Sequence, residues 1–264
     1  MGVFGMRHSS FLVLGLFLAS SATAQDRALP TLSQTATPAA TPAARHRAVR
    51  FPSAPVIVSK TVVVTPLKDN TLYQTADGSL SNGVGVHIFA GSTASSQLRR
   101  ALIAFDVAAL IPPGSTITHV TLVLHESQTI AGTESVELHR VTADWGQGSS
   151  NAGTARDGFG SPSQTGDATW IHTFFPDRRW RTAGGDFDAA PDSITAVGLD
   201  ESTWGSSPAM IARVQDWLDH PSANFGWIVI GNEANSRTAK RFDSREVVPQ
   251  STRPTLTIDY NTRQ

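Results

Sequence analysis

The sequence predicts an all-β fold, an antiparallel jelly-roll β-sandwich with one short amphipathic helix. Three observations carry that reading. Apolar residues recur mostly with a period of two. The runs are strand-length and bounded by Gly, Pro, Asn or Ser. No alternation of strand and helix patterns appears, which sets aside a parallel α/β sheet. The 21 glycines and 15 prolines among 264 residues supply the turns that many short strands require.

Eight segments carry the strand pattern. Ile57 to Val64 comes first, followed by Val84 to Ala90, Arg100 to Asp106 and Thr116 to His125. Ser135 to Val141, Gly226 to Gly231, Arg241 to Val247 and Pro254 to Tyr260 complete the set. Most are rich in β-branched residues, which suit a pleated, half-buried surface. One stretch breaks the period. Met210, Ile211, Val214, Trp217 and Leu218 have helical spacing, Ser206-Ser207-Pro208 supplies a cap and a first-turn proline, and His220-Pro221 supplies a stop. A helix over about 207–219 is expected to cover one end or face of a sheet. Two insertions are long for such a fold, Asp144 to Asp167 and Phe174 to Ser202. Long loops in compact domains often carry function.

Upstream of this region the chain reads differently. Arg7 and His8 precede nine apolar residues, Phe11 to Ala19, and Ala22-Thr23-Ala24 has the small-x-small form of a signal peptidase site. Residues 1–24 therefore read as a signal peptide, and nine apolar residues fall short of the ~20 that span a bilayer. The Ala-, Thr- and Pro-rich stretch 25–56 reads as a disordered linker, because it buries too little apolar surface to offset its backbone entropy. Residues 57–264 remain as one β-sandwich domain, in a chain expected to be secreted to the periplasm or outside the cell. No membrane span is expected in the mature chain.

Composition narrows the chemistry. No cysteine is present, which removes disulfides, thiolate nucleophiles and cysteine-held metals. Charged residues make up only 16% of the chain, and the net charge is −1, so a phosphate-tracking nucleic-acid partner is not expected. Five basic residues and one acidic residue lie upstream of Ile57, leaving the folded region at −5. A site for an anionic polymer would then have to be a local basic patch.

Several motifs share an order with one family. Arg99-Arg100-Ala101-Leu102-Ile103-Ala104-Phe105-Asp106 precedes Ile111-Pro112-Pro113-Gly114-Ser115-Thr116-Ile117 and Leu122-Val123-Leu124. His139 to Trp145, Ala168-Thr169-Trp170, Val214 to Trp217 and Asn224 to Trp227 come next. Phe242-Asp243-Ser244-Arg245-Glu246 and the final Pro254 to Tyr260 strand close the series. Together these resemble DNRLRE domains over about Val63 to Tyr260. The resemblance implies a jelly-roll sandwich of secreted or surface bacterial proteins, some of which serve as carbohydrate-binding modules, including the alginate-binding type. Others are attached to adhesive or structural surface proteins. In this chain no catalytic domain accompanies the module.

Enzyme signatures are absent: no Gly-x-Ser-x-Gly, no His-Glu-x-x-His and no phosphate-cradling Gly-x-x-x-x-Gly-Lys occurs. A polysaccharide lyase or hydrolase would need acids and bases from distant strands, with Asp167, His172, Glu246 and Tyr260 as the groups that would have to meet in a cleft. Spacing brings no two of them together, and a structural role for each is the simpler reading.

The binding residues expected from the sequence are arginines and tryptophans. Arg241, Asp243 and Arg245 alternate to one face of a strand, and guanidinium groups there would take uronate carboxylates in bidentate fashion. Arg237 and Lys240 add nearby donors. Cross-strand ion pairing is the competing role, above all for Arg245 and Glu246. Trp145, Trp180 and Trp204 fall in loops and are candidates for an exposed sugar-stacking face, whereas Trp217 and Trp227 read as core and Trp170 as either. A structural Ca2+ would draw on Asp69, Asn70 and Asn82, or on Asp186, Asp188 and Asp192. Both clusters also read as turn-makers. The eight histidines lack zinc-ligand spacing.

The expectation is a secreted, non-catalytic module that binds extracellular polysaccharide, with an acidic glycan favoured. A structural or adhesive surface protein with protein partners is the alternative, and a lyase or hydrolase the second.

Overall fold

The computed structural model describes residues 54–264. The expected signal peptide at 1–24 and nearly all of the expected linker at 25–56 lie outside the described residues. Fifteen strands and one α-helix follow in order: β1 (Ile57–Val64), β2 (Lys68–Tyr73), β3 (Leu80–Ser81), β4 (His87–Ser92), β5 (Leu98–Ala104), β6 (Thr116–Thr129) and β7 (Glu134–Arg140). Then come β8 (Ser161–Pro162), β9 (His172–Phe174), β10 (Arg178–Arg179), β11 (Ser193–Val197), β12 (Asp200–Trp204), α1 (Pro208–Asp219), β13 (Trp227–Ile230), β14 (Lys240–Asp243) and β15 (Thr255–Arg263).

Eleven strands form one curled antiparallel sheet that folds into the two layers of a jelly-roll-type sandwich. In the first layer β6 pairs with β12 on one edge, and with β14 and β15 end to end on the other. Outside them β4 pairs with β14, and β1 with β15. In the second layer β5 pairs with β2 on one edge and β13 on the other, and β13 leads through β7 to β11. The layers join through β4, whose residues His87 to Ala90 pair with β14 while Gly91 and Ser92 pair with β5. Gly91 makes that corner at φ +109°, where a Cβ would stand 2.8 Å from the Thr238 carbonyl oxygen.

The interior between the layers follows from the period-two pattern. Ile88 and Ala90 of β4, Val120, Leu122 and Leu124 of β6, Val136 and Leu138 of β7 and Leu256 and Ile258 of β15 all point inward and are buried. Helix α1 adds Met210, Val214, Trp217 and Leu218 to that core. Its start is as the sequence predicts: Ser207 caps it by accepting from the Met210 N–H at 3.0 Å, with Pro208 in the first turn.

The second layer is buried on both faces. Ala101 and Ile103 of β5 face the sandwich interior, while Leu102, Ala104, Leu72 and Ile228 face outward into a second core. That core is completed by Val141, Trp145, Ala168, Trp170 and Trp180. The two long insertions therefore act as a lid of packing residues over the outer face of a sheet. Each indole so covered removes ~150–250 Å² from water, enough to contribute several kcal/mol.

The sequence pattern misses β2, which reads Lys-Asp-Asn-Thr-Leu-Tyr. Asp and Asn are depleted in strands because their side chains compete for backbone hydrogen bonds. Here that capacity is used productively, since Asn70 Oδ1 accepts from Thr71 N–H, Ser81 O–H and Asn82 N–H in the adjoining loop. β11 and β12 also escape notice, as β11 lies inside the expected Phe174 to Ser202 insertion and β12 straddles its end.

Candidate functional site

On the outer face of the first layer, Phe89 of β4, Arg241 of β14 and Gln128 of β6 stand side by side across three paired strands. Alternation puts Ile88, Phe242 and Ala90 into the core and leaves Phe89 and Arg241 facing out. A turn at 155–159 rises beside them as a wall. It is tied down at two main-chain carbonyls: Tyr73 O–H donates to Asp157 O at 2.7 Å, and Arg99 Nε–H donates to Gly158 O at 3.2 Å. The Asp157 carboxylate pairs with His87 Nδ1. Between floor and wall lies a groove of about 370 Å³, lined among others by Phe89, Arg99, Gln128, Arg156, Phe159 and Arg241. That volume is at the small end of ligand sites.

The charge on this groove is one-sided. Among the described residues, the arginines within 4.0 Å of a carboxylate are Arg100, Arg140, Arg181, Arg213 and Arg245. Arg99, Arg156 and Arg241 are not in that set, and all three line the groove. Arg241 is held by Ser127, donating from Nε to Oγ at 3.0 Å and from Nη2 to the carbonyl at 3.4 Å. Arg99 lies over the Tyr73 ring at 4.8 Å, and burial lowers its pKa. Arg156 lies over the ring of Phe159, which is 66% exposed. The single carboxylate on the lining, Asp157, is turned to His87. Arg99 is buried, with Nε and Nη1 spent on the Gly158 and Leu98 carbonyls, so it lends charge from beneath while Arg156 and Arg241 are the groups that meet an entering anion, with no acid to displace among the described residues.

One step along the strands from Arg241 the same face carries an alternating array. His87 Nε2 stands 3.6 Å from Asp243 Oδ1, and His125 Nδ1 is 2.9 Å from Asp243 Oδ2. Asp157, His87, Asp243 and His125 thus link the wall to the floor. Asp243, at 4% exposure, has no room to reach a ligand.

The expected binding residues divide sharply. Arg241 reaches the groove. Lys240 does not, because it is the neighbouring residue of the strand and points into the sandwich, where its Nζ pairs with Gly132 O and lies 3.8 Å from Glu126 Oε2. Arg237 is exposed in a turn, at φ +65°, and is not on the groove's lining. Arg245 lies beyond the end of β14, donates to Gln147 Oε1 at 3.2 Å and approaches Glu246 at 3.7 Å, the ion-paired arrangement weighed against binding.

The expected stacking face does not form from the named tryptophans. Trp145 and Trp204 are 0% exposed and Trp180 is 6% exposed. Their indole N–H groups donate to the carbonyls of Phe225, Val136 and Thr169. All three are packing residues: Trp145 and Trp180 are drawn inward because their loops fold back onto a sheet face, whereas Trp204 ends strand β12 and not a loop, with its ring in the sandwich core. Trp217 and Trp227 lie in the core as expected, ring centroids 4.4 Å apart. Phe159 supplies the exposed ring instead.

Neither acidic cluster fits calcium. Asn70 spends its oxygen on three donors, Asp69 accepts from Arg245 N–H at 2.7 Å, and Asn82 accepts from Ala152 N–H at 2.9 Å. In the second cluster Asp186 accepts the N–H groups of Arg181 and Thr182, while Asp188 and Asp192 hold Arg213. Trp227 Nε1 also donates to Asp192. Oxygens filled by N–H donors leave a cation no complete shell. Among the described residues no group of three His, Asp or Glu stands where it could hold a metal ion.

The groups weighed for catalysis stay apart. His172 bonds to Thr169, Glu246 to Gln147 and Ser244, and Tyr260 belongs to the sandwich core. Asp167 accepts from the Gln164 N–H, and burial raises its pKa.

Sequence reasoning missed Phe89, Arg99, Gln128, Arg156 and Phe159 as site residues. The usable signal was local: Arg156 and Phe159 sit three apart in a turn bracketed by Gly153 and Gly160, a place where large side chains are displayed rather than packed. Among the described residues, no helix is long and apolar enough to cross a membrane. No protein-family model matches the chain, and no curated protein matches it.

Proposed function

We propose that this chain is a secreted, non-catalytic module that binds an acidic extracellular polysaccharide in the groove between β4, β6, β14 and the 155–159 turn. The observation that carries the reading is the convergence of Arg99, Arg156 and Arg241 on one groove without a carboxylate partner. A uronate carboxylate takes paired N–H donors from a guanidinium, and the apolar face of a pyranose packs on an exposed ring such as Phe159. The motif order resembling DNRLRE domains supports the same reading, since some of those modules bind glycans. Fold alone would not. The test is affinity electrophoresis of the purified chain through gels containing alginate, pectin or a neutral glycan. Retardation by an acidic glycan, lost at high salt and in an Arg156→Ala/Arg241→Ala double variant, is expected. Free migration through every gel contradicts the proposal.

One observation favours a second reading, a structural or adhesive role. Among the described residues β1 pairs only with β15, and Val56, Ile57 and Val63 are exposed along it. An open edge rich in β-branched residues accepts a further strand. Concentration-dependent self-association in sedimentation would support that role, and a monomer at all concentrations would remove it.

A further inference from the structure

A second, shallower groove of about 620 Å³ adjoins the basic one, and Gln97 lines both. Its lining carries no charged side chain; Gln74, Thr75, Trp170, Ile171 and Ala183 contribute with Gln97. Arg100, whose guanidinium lies over the Trp170 ring, is taken up by Glu233 through two bonds of 2.7 and 2.8 Å.

The polar groups here suit hydroxyls. Gln74 Oε1 already accepts from Leu98 N–H at 2.9 Å, which leaves its NH2 as the open donor. Thr75 Oγ1 accepts from Ser79 N–H at 3.2 Å and its hydroxyl lies beside Asp77, so it adds a polar but already engaged group to the lining. Among the described residues no hydrogen bond engages the side-chain amide of Gln97, which offers two donors and one acceptor at the junction. Trp170 presents only an edge: Arg100 covers one face at 5.0 Å, and Gly184 packs so close that a Cβ there would stand 2.8 Å from the ring. A carboxylate placed in this groove would lose hydration and gain no cation, whereas an uncharged sugar ring would exchange its water contacts for amide and hydroxyl partners.

Resting on the reading of the basic groove as a glycan site, we propose that the two grooves are adjoining subsites of one track. The preferred ligand is then an internal stretch of a heteropolysaccharide in which an uncharged sugar neighbours a uronic acid. The uronate occupies the arginine groove, its neutral neighbour the Gln74–Gln97 groove, and Gln97 bonds across the linkage between them.

Isothermal titration with two defined probes tests this. One is a hyaluronan tetrasaccharide, which alternates glucuronate with N-acetylglucosamine; the other is tetragalacturonate, which carries a carboxylate on every ring. The mixed probe is expected to bind more tightly despite its lower charge. Ala183→Trp fills the neutral groove from an exposed position, and Gln97→Ala removes the junction amide. Each is expected to weaken the mixed probe by about 3–10-fold, the equivalent of one or two lost hydrogen bonds, and to leave tetragalacturonate within ~2-fold. Unchanged thermal unfolding midpoints establish that both variants fold. Tighter binding of tetragalacturonate, or mixed-probe affinity unmoved by both variants, overturns the two-subsite track while leaving the basic groove standing. Binding of neither probe, or binding unaffected by Arg156→Ala/Arg241→Ala, overturns the basic groove and the track together.

Discussion

Glu126 and Lys240 face each other inside the sandwich, diagonal partners on β6 and β14, with Nζ 3.8 Å from Oε2 and both side chains 0% exposed. Neither Glu126 oxygen accepts a hydrogen bond among the described residues, and burial raises its pKa. A buried pair of this kind is costly to break and cheap to replace, because desolvation offsets most of its attraction. It lies on the opposite face of the same paired strands from Arg241 and Gln128, the floor of the groove.

Lys240→Met alone is expected to destabilise the fold by about 3–5 kcal/mol, since it strands the Glu126 carboxyl among apolar side chains. The double variant Glu126→Leu/Lys240→Met is expected to recover most of that loss. Urea unfolding of the two variants measures both effects. A single variant as stable as wild type would show that the pair is not closed as described.

Trp145→Ala and Trp180→Ala are each expected to cost about 3–5 kcal/mol through the cavities left in the second core. Glycan affinity per folded molecule is expected to stay unchanged, because neither ring reaches the basic groove. A stable variant with lost binding would restore these indoles to the site.

Asp69 gives a pH dependence with a defined sign. Burial first, and then the charge of Glu246, raises its carboxyl well above the ordinary 3.8. Between that value and its raised folded value, the folded chain holds a proton that the unfolded chain has released. The stabilisation is complete below ~3.9 and is lost as pH rises through the folded value. Asp69→Asn keeps an oxygen for the Arg245 N–H and removes the titration. Its unfolding midpoint is expected to fall less than that of wild type as pH rises above the ordinary aspartate range. Parallel midpoint curves for the two proteins would contradict the assignment.

Chelation is expected to leave the unfolding midpoint where it is. The oxygens of Asp69, Asn70, Asn82, Asp186, Asp188 and Asp192 are held by main-chain N–H groups, an indole and Arg213, and their stabilisation needs no cation. Thermal melts with and without EDTA measure this, and a midpoint lowered by EDTA would place a metal in one of the two clusters.

Strand alternation made the sandwich and the outward face of Arg241 legible, and helical spacing with the Ser207 cap did the same for α1 and the burial of Trp217. Alternation is a local property, fixed once the strand is known. It was silent at Lys240 because the expected strand begins at Arg241, one residue too late to place that side chain on the inner face. The loops were different. Whether Trp145 and Trp180 pack or project depends on where 144–187 lands, and that landing is set by the outward-facing Leu72, Leu102 and Ile228 on three other strands. The groove was hidden for the same reason, since Arg99, Arg156 and Arg241 come from β5, a turn and β14.

Among the described residues Arg99, Arg156 and Arg241 line one groove without a carboxylate within 4.0 Å, and the proposal is that this groove takes an anion. Two-dimensional NMR of the arginine Nε–H groups during titration with an oligouronate tests it most directly. The signals of Arg99, Arg156 and Arg241 are predicted to shift together on a single saturating curve, with the exposed Arg178 and Arg179 unmoved. Shifts confined to Arg178 and Arg179, or none at all at saturating ligand, would contradict it.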